Sequence, residues 1–210
     1  MIKKNSSSII GVLDLGISNI GKIYNLLNIQ NRKFKIIKTA KDFKNFDKLL
    51  FPGLGIFGQA SSALKSRKLN NLITEHILIK KKPYYGICLG MQILCKKSEE
   101  SPNDQGLSII KDKCIKLSYN KKSNITVPHI GYKSINMANG INKYNKERFY
   151  FVHSFYLKYS SKNKYMKSYV KYGENSICAQ IEKDNIFASQ FHPELSGAQG
   201  VRLINKFLNL

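Results

Sequence analysis

The chain begins its patterned part with Ile9-Ile10-Gly11-Val12-Leu13-Asp14, an apolar run unbroken until its last residue. Such a run marks a strand buried on both faces, as in a parallel sheet covered by helices. Phe34–Ile37 and Lys48–Phe51 are further short runs, and Tyr84-Tyr85-Gly86-Ile87 is another. Between them the spacing becomes helical. A turn at Gly16 to Asn19, with Asn19 placed as an N-cap, leads into a helix through Leu27, and Gly58–Leu64 and Leu69–Ile79 follow. Leu89–Leu94 reads as the start of one more helix. Alternating strands and helices of this kind predict an α/β fold, a doubly wound and mostly parallel sheet flanked by helices.

From Asp104 to about Tyr172 the pattern changes to short apolar runs at Cys114–Leu117, Phe149–Val152, Phe155–Leu157 and Ser168–Val170, broken by turn residues such as Asn139-Gly140. This predicts a smaller, partly antiparallel β section packed on the parallel sheet. Ser176–Ile181 and Ile186–Ser189 then form a hairpin-like pair. Ser196 is placed to cap a last helix through about Leu208, with Val201, Ile204, Phe207 and Leu208 at helical spacing. Met1–Ser8 is polar and expected to fray. At 210 residues, 42% of them hydrophobic, one domain with a sizeable core is expected over 1–210.

Charge changes this picture little. The 35 Lys+Arg against 13 Asp+Glu give +22, which raises the question of an anionic partner. The basic residues are spread along the chain with no run of five, so solvated faces are the favoured reading and no nucleic-acid arm is expected. No apolar run approaches the roughly 18 residues of a membrane span, so no membrane partner is expected either. Cys88, Cys95, Cys114 and Cys178 show no CxxC spacing and no metal-ligand pattern. Neither a metal nor an organic cofactor is implied, and a reducing cytoplasm fits four free thiols.

The candidate chemistry centres on Gly86-Ile87-Cys88-Leu89-Gly90-Met91-Gln92. A strand, a sharp turn and a helix with a thiol at the corner is the layout of a nucleophile elbow. A helix N-terminus there would favour the thiolate, and free N–H groups of the first turn could face a developing oxyanion. Flanking glycines would let backbone and substrate approach closely. A cysteine nucleophile needs a base and the base an orienter, and His192-Pro193-Glu194 can supply both. Pro193 would hold the two side chains in a fixed relation.

These elements resemble the class I (triad) glutamine amidotransferases. Within that class they resemble the glutaminase subunits of imidazole glycerol phosphate synthase. The narrower likeness rests on Phe51-Pro52-Gly53-Leu54-Gly55, Ser98-Glu99-Glu100, Val127-Pro128-His129-Ile130-Gly131, Tyr150-Phe151-Val152-His153-Ser154 and Ser189-Gln190-Phe191-His192-Pro193-Glu194, in the family's order from about Ile9 to about Leu208. The resemblance implies a Cys88–His192–Glu194 triad and an oxyanion hole from the backbone of Gly53, Leu54 and Leu89. It implies glutamine binding by Gln92, Glu100, His153 and Ser154, with Glu100 on the substrate α-amino group. A (β/α)8 synthase subunit is the implied partner, in a heterodimer whose face would include Asn19, His129, Tyr132 and Tyr150. This chain has Tyr132-Lys133 where the family usually has Trp-Asn, and Leu195 where it more often has a basic residue. That leaves open a paralogous glutaminase subunit supplying ammonia for a sugar amidation in surface polysaccharide synthesis. A cysteine peptidase on the same sheet would not call for Gln92, Glu100 and the late HPE, and a basic binding module would not call for a triad.

Overall fold

A computed structural model describes residues 8–18, 20–118, 125–138, 140 and 147–210. Strands β1 (Ile10–Leu13), β2 (Phe34–Ile37), β3 (Lys48–Phe51) and β4 (Tyr84–Ile87) stand where the apolar runs place them. All four residues of β1, β3 and β4 are buried, because helices cover both faces. Alternate side chains serve opposite sides. Leu49, Phe51 and Tyr84 pack with Phe57, Leu64 and Ile73 from α2 (Phe57–Ser66) and α3 (Asn70–Thr74). Leu50, Tyr85 and Ile87 meet Ile23, Leu27 and Phe207 from α1 (Gly21–Ile29) and α5 (Gly197–Leu208). The Lys48 ammonium, buried in β3, donates to the Leu208 carbonyl at 2.6 Å and ties the end of α5 to the sheet.

α3 continues as a wider π turn over Glu75–Ile79, so the stretch expected as one regular helix changes pitch. α4 is a single turn, Leu89–Gln92, followed at once by strand β5 (Cys95–Ser98). The helix expected through Leu94 therefore stops short, and its dipole at Cys88 is correspondingly small. α1 starts at Gly21 with Ile20 in the cap position, and Asn19, expected to cap it, lies outside the described residues. Asn139 of the expected Asn-Gly turn and all but Ser8 of the expected frayed start also lie outside them.

The remaining strands are β6 (Ile110–Lys116), β7 (His129–Ser134), β8 (Asn136–Met137), β9 (Arg148–His153), β10 (Phe155–Leu157), β11 (Met166–Tyr172), β12 (Asn175–Lys183) and β13 (Ile186–Ser189). The main sheet has the order β2-β1-β3-β4-β13-β12-β11-β8. It is parallel from β2 to β13 and antiparallel beyond, so β8 and β11 extend it and are not a separate layer. The smaller β section consists of β10-β6-β5 and the pair β7-β9. Phe149, Phe151, Val170, Ile177 and Phe191 form the apolar cluster beneath it. Parallel pairing of β13 with β4 brings Ser189 beside Ile87. That register carries the residues after each strand to the same edge of the sheet.

Candidate active site

Cys88 follows β4 with φ +50° and ψ −100°, a conformation that non-glycine residues rarely adopt. The surrounding contacts hold it there. A Cβ on Gly86 would lie 2.3 Å from the Gly90 carbonyl oxygen, and one on Gly90 would lie 2.1 Å from that of Phe51. The two glycines thus let the turn pack against the strands. The Tyr84 hydroxyl donates to the Gly90 carbonyl at 2.6 Å and closes the elbow from below.

His192 arrives from the end of β13. Its N–H donates to the Tyr150 carbonyl at 2.8 Å. The Ser196 hydroxyl donates to the His192 carbonyl at 2.6 Å and accepts the Tyr150 N–H at 3.0 Å. Ser196, expected to cap α5, makes no side-chain cap bond and instead braces the histidine. Nδ1 of His192 bonds the Glu194 carboxylate at 2.8 Å. Nε2 is buried without a hydrogen-bond partner among the described residues. Burial opposes the charged imidazolium, but the Cys88 sulfur beside it and Glu194 outweigh burial and push the pKa up to about 10.

That shift ties stability to pH. The folded chain favours the imidazolium above its ordinary 6.5, so the stabilisation is complete below that pH and is lost as pH rises through about 10. Between pH 7 and 10 the melting temperature should fall more steeply in the wild type than in Cys88→Ala, which lacks the largest favourable charge. Parallel profiles would exclude this pair as the cause.

Beside the thiol lies a cleft of about 250 Å³ lined by Leu54, Cys88, Gln92, Glu100, His153 and Ser154 among others. Gln92 Nε2 donates to the Phe155 carbonyl at 2.8 Å and to Gln190 Oε1 at 3.1 Å, so its own Oε1 is the polar atom left for a ligand. Gln190 Nε2 lies 3.5 Å from Cys88 Sγ. His153 Nδ1 bonds the same Phe155 carbonyl at 3.1 Å, and its Nε2 meets His129 Nδ1 at 3.1 Å. A carbonyl only accepts, so His153 carries its proton on Nδ1 and His129 donates to it. Burial lowers the pKa of His153 to about 3 and of His129 to about 4, leaving both neutral at pH 7.

Several expectations change here. Ser98 ends β5, and Glu99 and Glu100 follow it in a turn. Glu100 accepts the Phe57 N–H at 2.7 Å, and Ser101 Oγ accepts that of Gly58 at 3.0 Å, which together cap α2 from outside. Glu99 stays on the surface, where it accepts the Lys116 N–H at 2.9 Å and pairs with Lys113. The backbone donors expected at an oxyanion are engaged: the Leu89 N–H bonds the Gly53 carbonyl at 3.3 Å, and the Leu54 N–H bonds Ser18 Oγ at 3.2 Å. His129 is not a surface residue. It is fully buried, its ring stacked on Phe151 and Tyr172, because inward positions of β7 face that apolar cluster. Its neighbours Ile130 and Tyr132 are the exposed ones. Tyr132 stacks edge-on with Tyr150 and donates its hydroxyl to the Leu195 carbonyl at 2.9 Å. These three, with Lys22 and Glu194, line a second opening of about 440 Å³. Asn19 lies outside the described residues. The expectations for the site had left Gln190 without a role. Its position two residues before His192, directly after the strand beside the elbow, was the available signal.

Residues 3–210 match the sequence profile of the family described as glutamine amidotransferase class-I. The chain belongs to the class-I glutamine amidotransferases. Among curated amidotransferase relatives, it is 34% identical over 206 residues to "Imidazole glycerol phosphate synthase subunit HisH" of Leptospira interrogans, covering 96% of this chain and 100% of that one. A protein of the same name from Caldanaerobacter subterraneus is 37% identical over 204 residues, covering 94% and 96%. "Imidazole glycerol phosphate synthase hisHF" of Emericella nidulans is 36% identical, and the match covers 94% of this chain but 37% of that longer protein. Among solved structures, a glutamine amidotransferase superposes with TM-score 0.70 at 16% identity, covering 95% of this chain and 96% of that one. At that identity the likeness speaks for the amidotransferase fold alone. Among the described residues no helix is long and apolar enough to cross a membrane.

Proposed function

We propose that this amidotransferase is the glutaminase subunit of an imidazole glycerol phosphate synthase, acting in the cytoplasm on glutamine. The observation that carries the reading is a single cleft in which Cys88 meets Gln92 and Glu100, backed by the buried His192–Glu194 pair. The Cys88 sulfur attacks the side-chain amide carbon, and the carbonyl electron pair moves to oxygen. His192 gives its proton to the amide nitrogen as the C–N bond breaks, and ammonia leaves. His192 then takes a proton from water, which adds to the thioester. The C–S bond breaks, and glutamate departs. Glu100 receives the substrate α-ammonium, and Glu194 holds His192 in place.

The oxyanion needs donors that the resting backbone keeps occupied. Turning over the Gly53–Leu54 peptide would free the Leu89 N–H and exchange the Gly53 carbonyl for the Leu54 N–H. Docking of a (β/α)8 synthase subunit over Tyr132 and Tyr150 would favour that state and take up the ammonia before it is protonated.

The test is ammonia release from glutamine by the chain alone, then with a histidine-pathway synthase subunit and its nucleotide ligand. Stimulation on the order of 100-fold is expected from coupling of this kind. Unchanged turnover would sink the assignment of the partner. The Tyr132–Leu195 contact favours a second reading, a paralogue that feeds a sugar amidation. The two departures from the usual pattern touch each other at one opening, so they act together on whatever docks there. Stimulation by a glycan-pathway synthase subunit alone would establish it.

A further inference from the structure

We propose that Gln190 is a catalytic residue of this site, a donor that holds and stabilises the Cys88 sulfur; this rests on Cys88 being the nucleophile. Gln190 is fully buried and does not line the cleft, so binding glutamine is not its task. Its amide lies between Gln92 and the thiol, with Oε1 3.1 Å from Gln92 Nε2 and Nε2 3.5 Å from Cys88 Sγ.

The orientation of both amides is fixed from one end. The Phe155 carbonyl can only accept, so it requires the NH2 of Gln92 to face it. The same NH2 faces Gln190, which must answer with its oxygen. The NH2 of Gln190 is then left pointing at sulfur. A flip of either amide would set oxygen against oxygen or NH2 against NH2 in a buried place. The backbone N–H of Gln190 bonds the Ala179 carbonyl at 3.0 Å, which anchors the residue in the sheet. Sulfur thus faces a donor that cannot turn away.

The chemistry uses that donor twice. Sulfur is most negative as the free thiolate, before it attacks and again when it leaves the thioester. An N–H donor lowers the energy of both states relative to the neutral thiol. His192 also supports the thiolate, but it gives up its proton during the reaction. Gln190 does not, so the sulfur keeps one partner throughout. The Val152 carbonyl, 3.9 Å from Sγ, is an acceptor and cannot serve a thiolate.

The test substitutes Gln190→Met, which keeps length and removes the donor, and Gln190→Glu, which keeps shape and sets a carboxylate beside sulfur. The pH dependence of Cys88 alkylation by iodoacetamide is read by peptide mass spectrometry, which separates Cys88 from the other cysteines. The Gln190→Met profile should move up by about one pH unit, and kcat for ammonia release should fall about tenfold with KM for glutamine little changed. Gln190→Glu should move the profile further. An unmoved alkylation profile in a folded Gln190→Met chain overturns the proposal. Should both variants fail to fold, the wild-type side-chain amide resonance of Gln190 decides. It should titrate together with Cys88 and stop doing so in Cys88→Ala; no pH response in the wild type would refute the contact. Alkylation needs no glutamine, so these readings stand apart from whether the chain is a glutaminase, which ammonia release by the wild type decides.

Discussion

Cys88→Ala should end ammonia release from glutamine, lowering it at least about a thousandfold, while the assembled synthase still forms product from added ammonium salts. The reason is covalent. Without sulfur no thioester forms, and the His192–Glu194 pair loses the thiol it serves. Alanine fits the space, since it only removes a side-chain atom from a site that the glycines already hold in shape. Ammonia-driven synthesis belongs to the partner and should persist. If both activities vanish while the variant still folds and binds its partner, Cys88 is holding the partner-facing structure and the proposed chemistry is wrong.

Gly90→Ala should be strongly destabilising, costing about 3 kcal/mol or more in urea unfolding. Its methyl group would have to occupy a point 2.1 Å from the Phe51 carbonyl oxygen. That neighbour is backbone in β3, a strand paired with β1 on one side and β4 on the other, so it cannot swing away. Relief would come only from lifting the elbow off the sheet, which moves the thiol as well. A variant of near wild-type stability would show that the turn can shift without cost.

Much of this was legible in the chain because the decisive elements are local. β1, β3 and β4 are buried on both faces, an environment that selects runs of apolar residues, with Lys48 at the start of β3 the one charged exception. The Gly-x-Cys-x-Gly and His-Pro-Glu elements are compact enough to be seen whole. What stayed hidden depends on neighbours distant in sequence. Leu89–Leu94 is apolar whether it continues a helix or turns back into β5, and only the pairing of Cys95–Ser98 with β6 decides between them. The cap that Glu100 provides depends on α2, whose N-terminus lies more than forty positions earlier. His129 belongs to the interior because β7 pairs with β9 in one register, His129 opposite His153, and a pattern of single residues carries no register. Gln190 had a place in a motif but no task until Gln92 and Cys88 were seen on either side of it.

The cap that Glu100 gives to α2 constrains any redesign of the cleft. Ile56 stands in the cap position with an extended backbone and no side-chain acceptor, so the helix borrows its acceptor from across the site. An engineer who replaced Glu100 to admit a substrate without an α-ammonium group would also remove that acceptor from Phe57. A second substitution, Ile56→Asp or Ile56→Ser, would compensate from within the helix's own sequence by giving an acceptor to the N–H groups of Gly58 or Gln59. Helix stability and the substrate recognition proposed for Glu100 would then be adjustable separately.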